Sequence, residues 1–347
     1  MAGVHSRVVA GRCRLCRYRF GTKLDRKRLS SRRIAAEENQ LSTSNEIADI
    51  ENSEARLQEI EMIGDNPGSL RMLLYVPTNL PPMSPLVVTL HGGAQNANDY
   101  AIGAGWLTLA ARFGFAVLCP QQSFCNNANL SFNWFEPADI AREGGEAHSI
   151  HQMVAHAISL HEFDADRVFI TGLSAGGAMT AVMLATYPNV FAGGAVIAGL
   201  AYGAAGGLWQ AVSAMAQTDQ RSDEELGDMV RQASKGSQKW PPISIWHGDR
   251  DELVTPGAGD DLVRQWRNVH GLDCAPIDAK SGDGRSYVEW RSADGKISVE
   301  HHKIAGMSHG TPVRTQGKDS CGAVGRYMLD VNIPSSFEIA KGWGLAV

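Results

Sequence analysis

A serine hydroxyl becomes a nucleophile only when a base takes its proton, and one serine of this chain sits in a pattern suited to that chemistry. Gly172, Leu173, Ser174, Ala175 and Gly176 spell G-x-S-x-G. The run before them, "RVFIT", is made of strand formers, and the run after them, "GAMTAVMLATYP", has helical character. In that context the pattern forms a sharp strand-to-helix turn that lifts the serine hydroxyl above the sheet. Glycines flank the serine because side chains there would collide with the neighbouring strand and helix. The chemistry predicted is acyl transfer through a covalent intermediate on Ser174.

A base and an orienting acid should follow in the order Ser, Asp or Glu, His. "SIWHGDRDELVTP" places Asp249 and Asp251 in a loop after a strand, and "IAGMSHGTP" places His309 in a loop after the last strand. Both loops lie at strand carboxyl ends, where open α/β sheets form their ligand crevices. Asp251 is the preferred acid, because Asp249 lies nearer the tight turn after Gly248, a place where Asp often caps the loop locally. His151, His156 and His161 fall on a helix surface, His301 and His302 in a strand, and His247 is read as structural. An oxyanion needs N–H donors. One is expected from the backbone of Ala175, the other from Gly93 in "LHGGAQN", with His91 and Gln95 shaping that loop.

The elements that must carry these residues alternate. Continuous apolar runs such as "PLVVTL", "FAVLCP", "RVFIT" and "PISIWHG" read as buried strands, and helical patterns of 10 to 15 residues separate them. The fold class expected is α/β, with a mainly parallel central sheet and helices on both faces. Residues 69–347 read as this domain, and residues 1–68 as an extension, basic and then acidic, with a loosely helical pattern near its end. The basic stretch of residues 1–33 carries eleven Arg and Lys against one acid, and "CRLC" within it has metal-ligand spacing without a second pair. It is read as a solvated tail.

Composition is that of an ordinary globular protein, 44% hydrophobic and 20% charged with a net charge of −5, so nucleic acid is not expected as a partner. No run approaches the roughly 18 apolar residues of a membrane helix, and no signal-peptide core is visible, so the chain as written reads as cytoplasmic. Up to two disulfides are possible among Cys119, Cys125, Cys274 and Cys321.

Taken in order, "LHGGAQNANDYAIGAGWLTLAARFGFAVLCPQQ", "FNWFEP", "VFITGLSAGGAMTAVMLATYPNVFAGGAVIAGLAYG", "ISIWHGDRDELVTP" and "GMSHGTPV" resemble the polyhydroxybutyrate depolymerase-like esterases. These are α/β hydrolases related to feruloyl and acetylxylan esterases. The resemblance runs from about Ser69 to the C-terminus. It implies Ser174 as nucleophile, Asp251 as acid, His309 as base, and the amides of Gly93 and Ala175 as oxyanion donors. It also implies substrate contact at the segment Asn133, Trp134 and Phe135, with Trp134 foremost and Gln95 nearby. Two departures stand out: Gly93 replaces a cysteine frequent in the family's loop, and alanines at 204 and 205 replace another, which implies that a family disulfide is absent. Many relatives are exported.

The expected activity is that of a serine esterase on short-chain hydroxyalkanoate esters or oligomers, with no metal and no organic cofactor. A feruloyl or acetyl esterase acting on plant-derived esters is the alternative within the same chemistry. A non-catalytic binding protein on a hydrolase scaffold is the alternative outside it. Oligomeric state is not legible in the sequence.

Overall fold

Short continuous runs of aliphatic residues have no polar face to show to water, so they are stable only between two layers of helices. The computed structural model describes residues 56–62, 64–237, 239–272, 275–280 and 284–347. Six of its strands run parallel in the order β4 (Ala116–Gln121), β3 (Leu86–Leu90), β5 (Val168–Leu173), β6 (Gly193–Ile197), β7 (Ile243–Gly248) and β10 (Ile297–Ile304). The two sides are finished by antiparallel strands. β2 (Arg71–Tyr75) and β1 (Gln58–Ile60) add to β4, while β9 (Arg285–Arg291) and β8 (Ile277–Lys280) add to β10. Every residue of β3, β4, β5, β6 and β7 is buried, which is why these strands read as unbroken apolar runs rather than alternating ones.

Two apolar clusters occupy the two faces. On one, α3 (Gly145–His161), α4 (Ala175–Thr186), α6 (Asp223–Ala233) and α7 (Gly257–His270) pack against Val88, Leu90, Ile170 and Ile245. On the other, α1 (Ala97–Gly103), α2 (Trp106–Phe113) and α8 (Ser335–Gly342) pack against Val87, Val117, Phe169 and Trp246. The termini of these helices follow local chemistry. Asn96 caps α1 by accepting from the Asp99 amide, Ser222 and Glu225 form a reciprocal capping box on α6, and Gly114 ends α2 in the left-handed conformation. α5 (Leu208–Ala216) is nine residues long, and only its Ala211 is buried. β11 (Thr311–Val313) and β12 (Met328–Asp330) form a separate parallel pair.

Three features depart from the expectations above. The sheet begins before residue 69: β1 pairs with β2 from Gln58 to Ile60, where the sequence pattern suggested a linker or helix. β2 would otherwise present an open edge of unpaired amides, and pairing overrides the weak local helical preference. α5 lies in a Gly- and Ala-rich stretch to which the sequence reading gave no element, because nine residues hold only one repeat of helical spacing. The cysteines Cys119, Cys125 and Cys321 are free, so none of the pairings open to the sequence joins described residues. Cys274, the Cys-x-x-Cys pair and the basic arm lie outside the described residues.

The strand-to-helix turn at Ser174 rests on contact between backbones. Ser174 has φ 57° and ψ −117°, a conformation costly for any residue with a Cβ. A Cβ on Gly176 would stand 2.1 Å from the carbonyl oxygen of Leu90 at the end of β3, and one on Gly172 would stand 2.4 Å from the backbone of Gly176. Those contacts let α4, buried along its whole length, start directly beneath the strand ends.

Two predictions concern this packing. Gly176→Ala is expected to cost about 4 kcal/mol or more, because the Leu90 backbone cannot swing aside as a side chain would. Gly342→Ala, at an exposed site with nothing within 4 Å of the new methyl, should change stability by less than about 1 kcal/mol. Urea titrations of both variants beside the parent protein read the difference, and a near-parental midpoint for Gly176→Ala would contradict the contact. The second prediction concerns pH. Burial lowers His91 and His270 to about 4 and His301 to about 3, so all three are neutral in the native state. Between the unfolded value of about 6.5 and these folded values the unfolded chain binds more protons, and each group removes about 1.4 kcal/mol of stability per unit of acidification. Glu146, raised by burial to about 8, acts in the opposite sense between about 4.5 and 8 but is outnumbered. The urea midpoint should therefore be lower at pH 5 than at pH 7; an unchanged or higher midpoint would refute the neutral, buried state of these rings.

Candidate active site

The loops of Gly93, Ser174, Asp251 and His309 leave the carboxyl ends of β3, β5, β7 and β10, and the segment of Asn133 and Trp134 follows β4. β3 adjoins β5, with Leu90 opposite Gly172, so the loop of Gly93 starts beside the turn of Ser174. β7 adjoins β10, with Gly248 opposite Ile304, so the loops of Asp251 and His309 also start side by side. β6 is the single strand between these two pairs.

Asp251 and His309 form a buried pair. His309 Nδ1 lies 2.7 Å from Asp251 Oδ2. A carboxylate only accepts, so Nδ1 carries a proton and Nε2 is the ring nitrogen left to exchange one. The other carboxylate oxygen, Oδ1, accepts from the amides of Leu253 and Val254, each at 2.9 Å. Burial alone would raise the Asp251 carboxyl, but hydrogen bonds from His247 and His309 outweigh it and hold the group below the usual carboxylate range. Asp249 does different work. Its Oδ1 accepts from the Gly306 amide at 2.7 Å and its own amide donates to Ile304 O at 3.0 Å, fastening the His309 loop to the end of β7.

The Gly93 loop is a turn in which the Gln95 amide returns to Gly92 O at 3.3 Å. Its third residue, Ala94, has φ 57°, a strain of about 1–2 kcal/mol that fixed neighbours must hold. Gln95 Oε1 accepts from the Gly92 amide at 2.8 Å, Gln95 Nε2 donates to Arg326 O at 2.7 Å, and Arg326 Nη1 donates to Ala94 O at 3.1 Å. The Ala94 amide donates to Asn129 O at 2.6 Å, so the chain is anchored on both sides of Gly93. His91 completes the base of the loop. Its Nδ1 donates to Gly92 O at 2.9 Å, while Nε2 accepts from the Gln122 amide at 3.2 Å.

Gly93, Ser174, Ala175 and Trp134 line one cleft of about 220 Å³. Phe135, Leu200, Leu208, Ala211, Val212 and Met215 make its apolar wall, and Asn127, Asn129 and Ser131 its polar rim. The Ala175 amide opens α4, where no intrahelical acceptor exists for it. Gln95 and Asn133 do not line the cleft. Gln95 is spent on the loop bonds above, and Asn133 donates its backbone amide to Glu146 Oε2 at 2.8 Å and its side chain to Asp139 at 3.0 Å. A larger cavity of about 330 Å³ on the far side of α5 shares only Leu200 with the cleft and holds none of the sequence-predicted site residues.

Sequence reasoning missed the α5 wall and the rim asparagines. Leu208, Ala211, Val212 and Met215 follow i, i+3, i+4, i+7 spacing, the one signal that could have placed a helix face there. Asn127 and Asn129 sit in an irregular loop, where residue type alone does not reveal direction. Among the described residues no cluster of three or more His, Cys, Asp or Glu is disposed to hold a metal ion, and no helix is long and apolar enough to cross a membrane.

Comparison with known proteins agrees with this architecture. The sequence profile of the family described as "Esterase PHB depolymerase" matches residues 70–290. Poly(3-hydroxyalkanoate) depolymerase C of Paucimonas lemoignei is 43% identical over 291 residues, covering 83% of this chain and 70% of that protein. Feruloyl esterase B of Thermothelomyces thermophilus is 34% identical over 226 residues, covering 63% of this chain and 77% of that one. Among solved structures, an acetyl xylan esterase from Aspergillus awamori superposes with a TM-score of 0.70 at 25% identity, over 84% of this chain and all of that one. The chain thus belongs to the esterase PHB depolymerase family and is a carboxylic ester hydrolase of the α/β-hydrolase fold.

Proposed function

We propose that Ser174 is the nucleophile, His309 the general base and then acid, and Asp251 the carboxylate that orients it, with the amides of Gly93 and Ala175 receiving the oxyanion. The single observation carrying this reading is the 2.7 Å bond from His309 Nδ1 to Asp251, which leaves His309 Nε2 free to take a proton at the strand ends where Ser174 stands. Ser174 Oγ attacks the ester carbonyl carbon while His309 takes the hydroxyl proton. The tetrahedral intermediate holds its negative oxygen toward the two amides. On collapse the alcohol leaves with the proton from His309, and an acyl group stays on Ser174. Water, deprotonated by His309, then attacks the acyl-enzyme and releases the acid.

The substrate class we infer is a short-chain hydroxyalkanoate ester or oligomer. Support comes from the 43% identity with a poly(3-hydroxyalkanoate) depolymerase over most of the chain, and from a cleft whose apolar wall suits a short acyl unit while its Asn and Ser rim can meet a neighbouring ester oxygen. A feruloyl or acetyl esterase is the second reading, favoured by the feruloyl esterase relative and the acetyl xylan esterase fold match.

Parallel assays with a 3-hydroxybutyrate oligomer, methyl ferulate and p-nitrophenyl acetate, on the parent protein and Ser174→Ala, test both parts. Ser174→Ala should fold and lose about 10⁴-fold or more in kcat. Retained activity in that variant would remove the nucleophile assignment. Preference for the oligomer supports the hydroxyalkanoate reading, and preference for methyl ferulate transfers the substrate to the second.

A further inference from the structure

Asp251 has a second histidine partner. β7 alternates its side chains between the two faces of the sheet, so Ile245 packs with α7 and Trp246 with α8, and His247 falls on the α7 side. His247 is 2% exposed, and the Asp251 side chain is wholly buried. His247 Nε2 stands 3.2 Å from Asp251 Oδ2 and 3.1 Å from Val254 O. Both neighbours are acceptors, so Nε2 must carry the proton; its hydrogen bond goes to Val254 O, and Asp251 Oδ2 stands within ion-pair distance of the same N–H. Asp251 Oδ2 is therefore held between two imidazole donors, His309 at 2.7 Å and His247 at 3.2 Å, and Oδ1 between two backbone amides.

The back of the ring is also fixed. A Cβ added to Gly259 of α7 would lie 3.3 Å from His247 Nδ1 and 3.0 Å from His301 Nε2, so both rings abut the bare backbone of the helix. The charged and titratable groups around His247 are Asp251 from its own loop, His301 and Lys303 from β10, and Asp260 from α7. Lys303 lies opposite His247 in the strand register, and its Nζ pairs with Asp260 at 2.6 Å.

We infer that His247 is a positioning residue for ester hydrolysis: its Nε2–H locks the Asp251 carboxylate in the rotamer that presents Oδ2 to His309 Nδ1. This rests on the assignment of Asp251 and His309 made above. A fully buried carboxylate has no water to replace a lost donor. Without His247 the carboxylate turns toward other partners and no longer holds His309 in line, which slows proton transfer without touching the substrate; where it still meets His309 it is the stronger acceptor and raises the affinity of that ring for a second proton.

The test uses p-nitrophenyl butyrate and the full chain. His247→Phe keeps a ring and removes the donor; kcat should fall about tenfold or more with KM changed less than about twofold, the split expected of a group acting only through the base. The acid limb of the kcat/KM profile should move to higher pH, because Asp251 with one donor fewer stabilises the imidazolium of His309. His247→Gln, whose amide nitrogen reaches roughly where Nε2 stood, should recover most of the rate. His247→Asn, whose shorter amide stands nearer Nδ1, should not. A folded His247→Phe with parental kcat and an unmoved acid limb overturns the inference, as do equal rates for the Gln and Asn variants. If His247→Phe does not fold, the Gln and Asn pair decides, and a Gln variant that also fails to fold overturns the claim that one donor at this point suffices. Ser174→Ala and Asp251→Asn run alongside. Activity surviving in either refutes the triad itself, whereas two dead controls beside an unaffected His247→Phe refute only the role of His247.

Discussion

Everything at the carboxyl ends of the sheet depends on how closely one helix approaches two strands. α4 begins so near the end of β3 that Gly176 touches the Leu90 carbonyl with no room for a methyl group, and Ser174 is bent into φ 57° to make the entry. The strain is local and the support is not: the Ser174 amide donates to Ile197 O on β6 at 2.9 Å, and the whole of α4 is buried. A backbone held against its preference on three sides is a rigid mount. Rigidity here suits the role proposed for Ser174, because a nucleophile displaced by an ångström loses most of the advantage of being bound near its target.

The same economy governs the polar groups. Asp251 accepts three hydrogen bonds, from His309 and two amides, and has the His247 N–H 3.2 Å from Oδ2; none of these four partners comes from the cleft wall. Asp249, two residues earlier and chemically identical, serves only to join Gly306 to β7. The difference between them is position on one turn. Likewise Gln95, three residues beyond Gly92, faces back into the loop and Trp134, one residue beyond Asn133, faces the cleft.

How much of this is legible in the sequence can be judged residue by residue. The parallel strands read clearly, since burial on both faces writes itself as uninterrupted Val, Ile and Leu. Ser174, Asp251 and His309 are singled out as candidates by motif and chain order, because strand ends in this fold are followed at once by the residues they present, and the fold sets Asp251 against His309. β1 was hidden, since three residues added to an open edge need no pattern of their own. α5 was hidden by its short length and exposed surface. The inward turn of Gln95 and the withdrawal of Asn133 depend on Arg326 and Glu146, which lie 231 and 13 residues away. No local spacing encodes such partners. His247 was visible as a residue but not as a donor, because its proton is assigned only by two acceptors in the folded loop.

The bond from Gln95 to Arg326 spans most of the chain, and its companion from Arg326 to Ala94 spans it again. Tyr327 beside it meets the His309 ring edge-on at 5.5 Å and accepts the Thr311 amide at 2.8 Å. One short segment near the C-terminus thus fastens the loop of Gly93 and the loop of His309 together. During synthesis on the ribosome the strands and the Ser174 turn emerge long before this segment does. A nascent chain therefore carries the Ser174 turn before it can join the loops of Gly93 and His309, which are fastened together only once Arg326 and Tyr327 have been made.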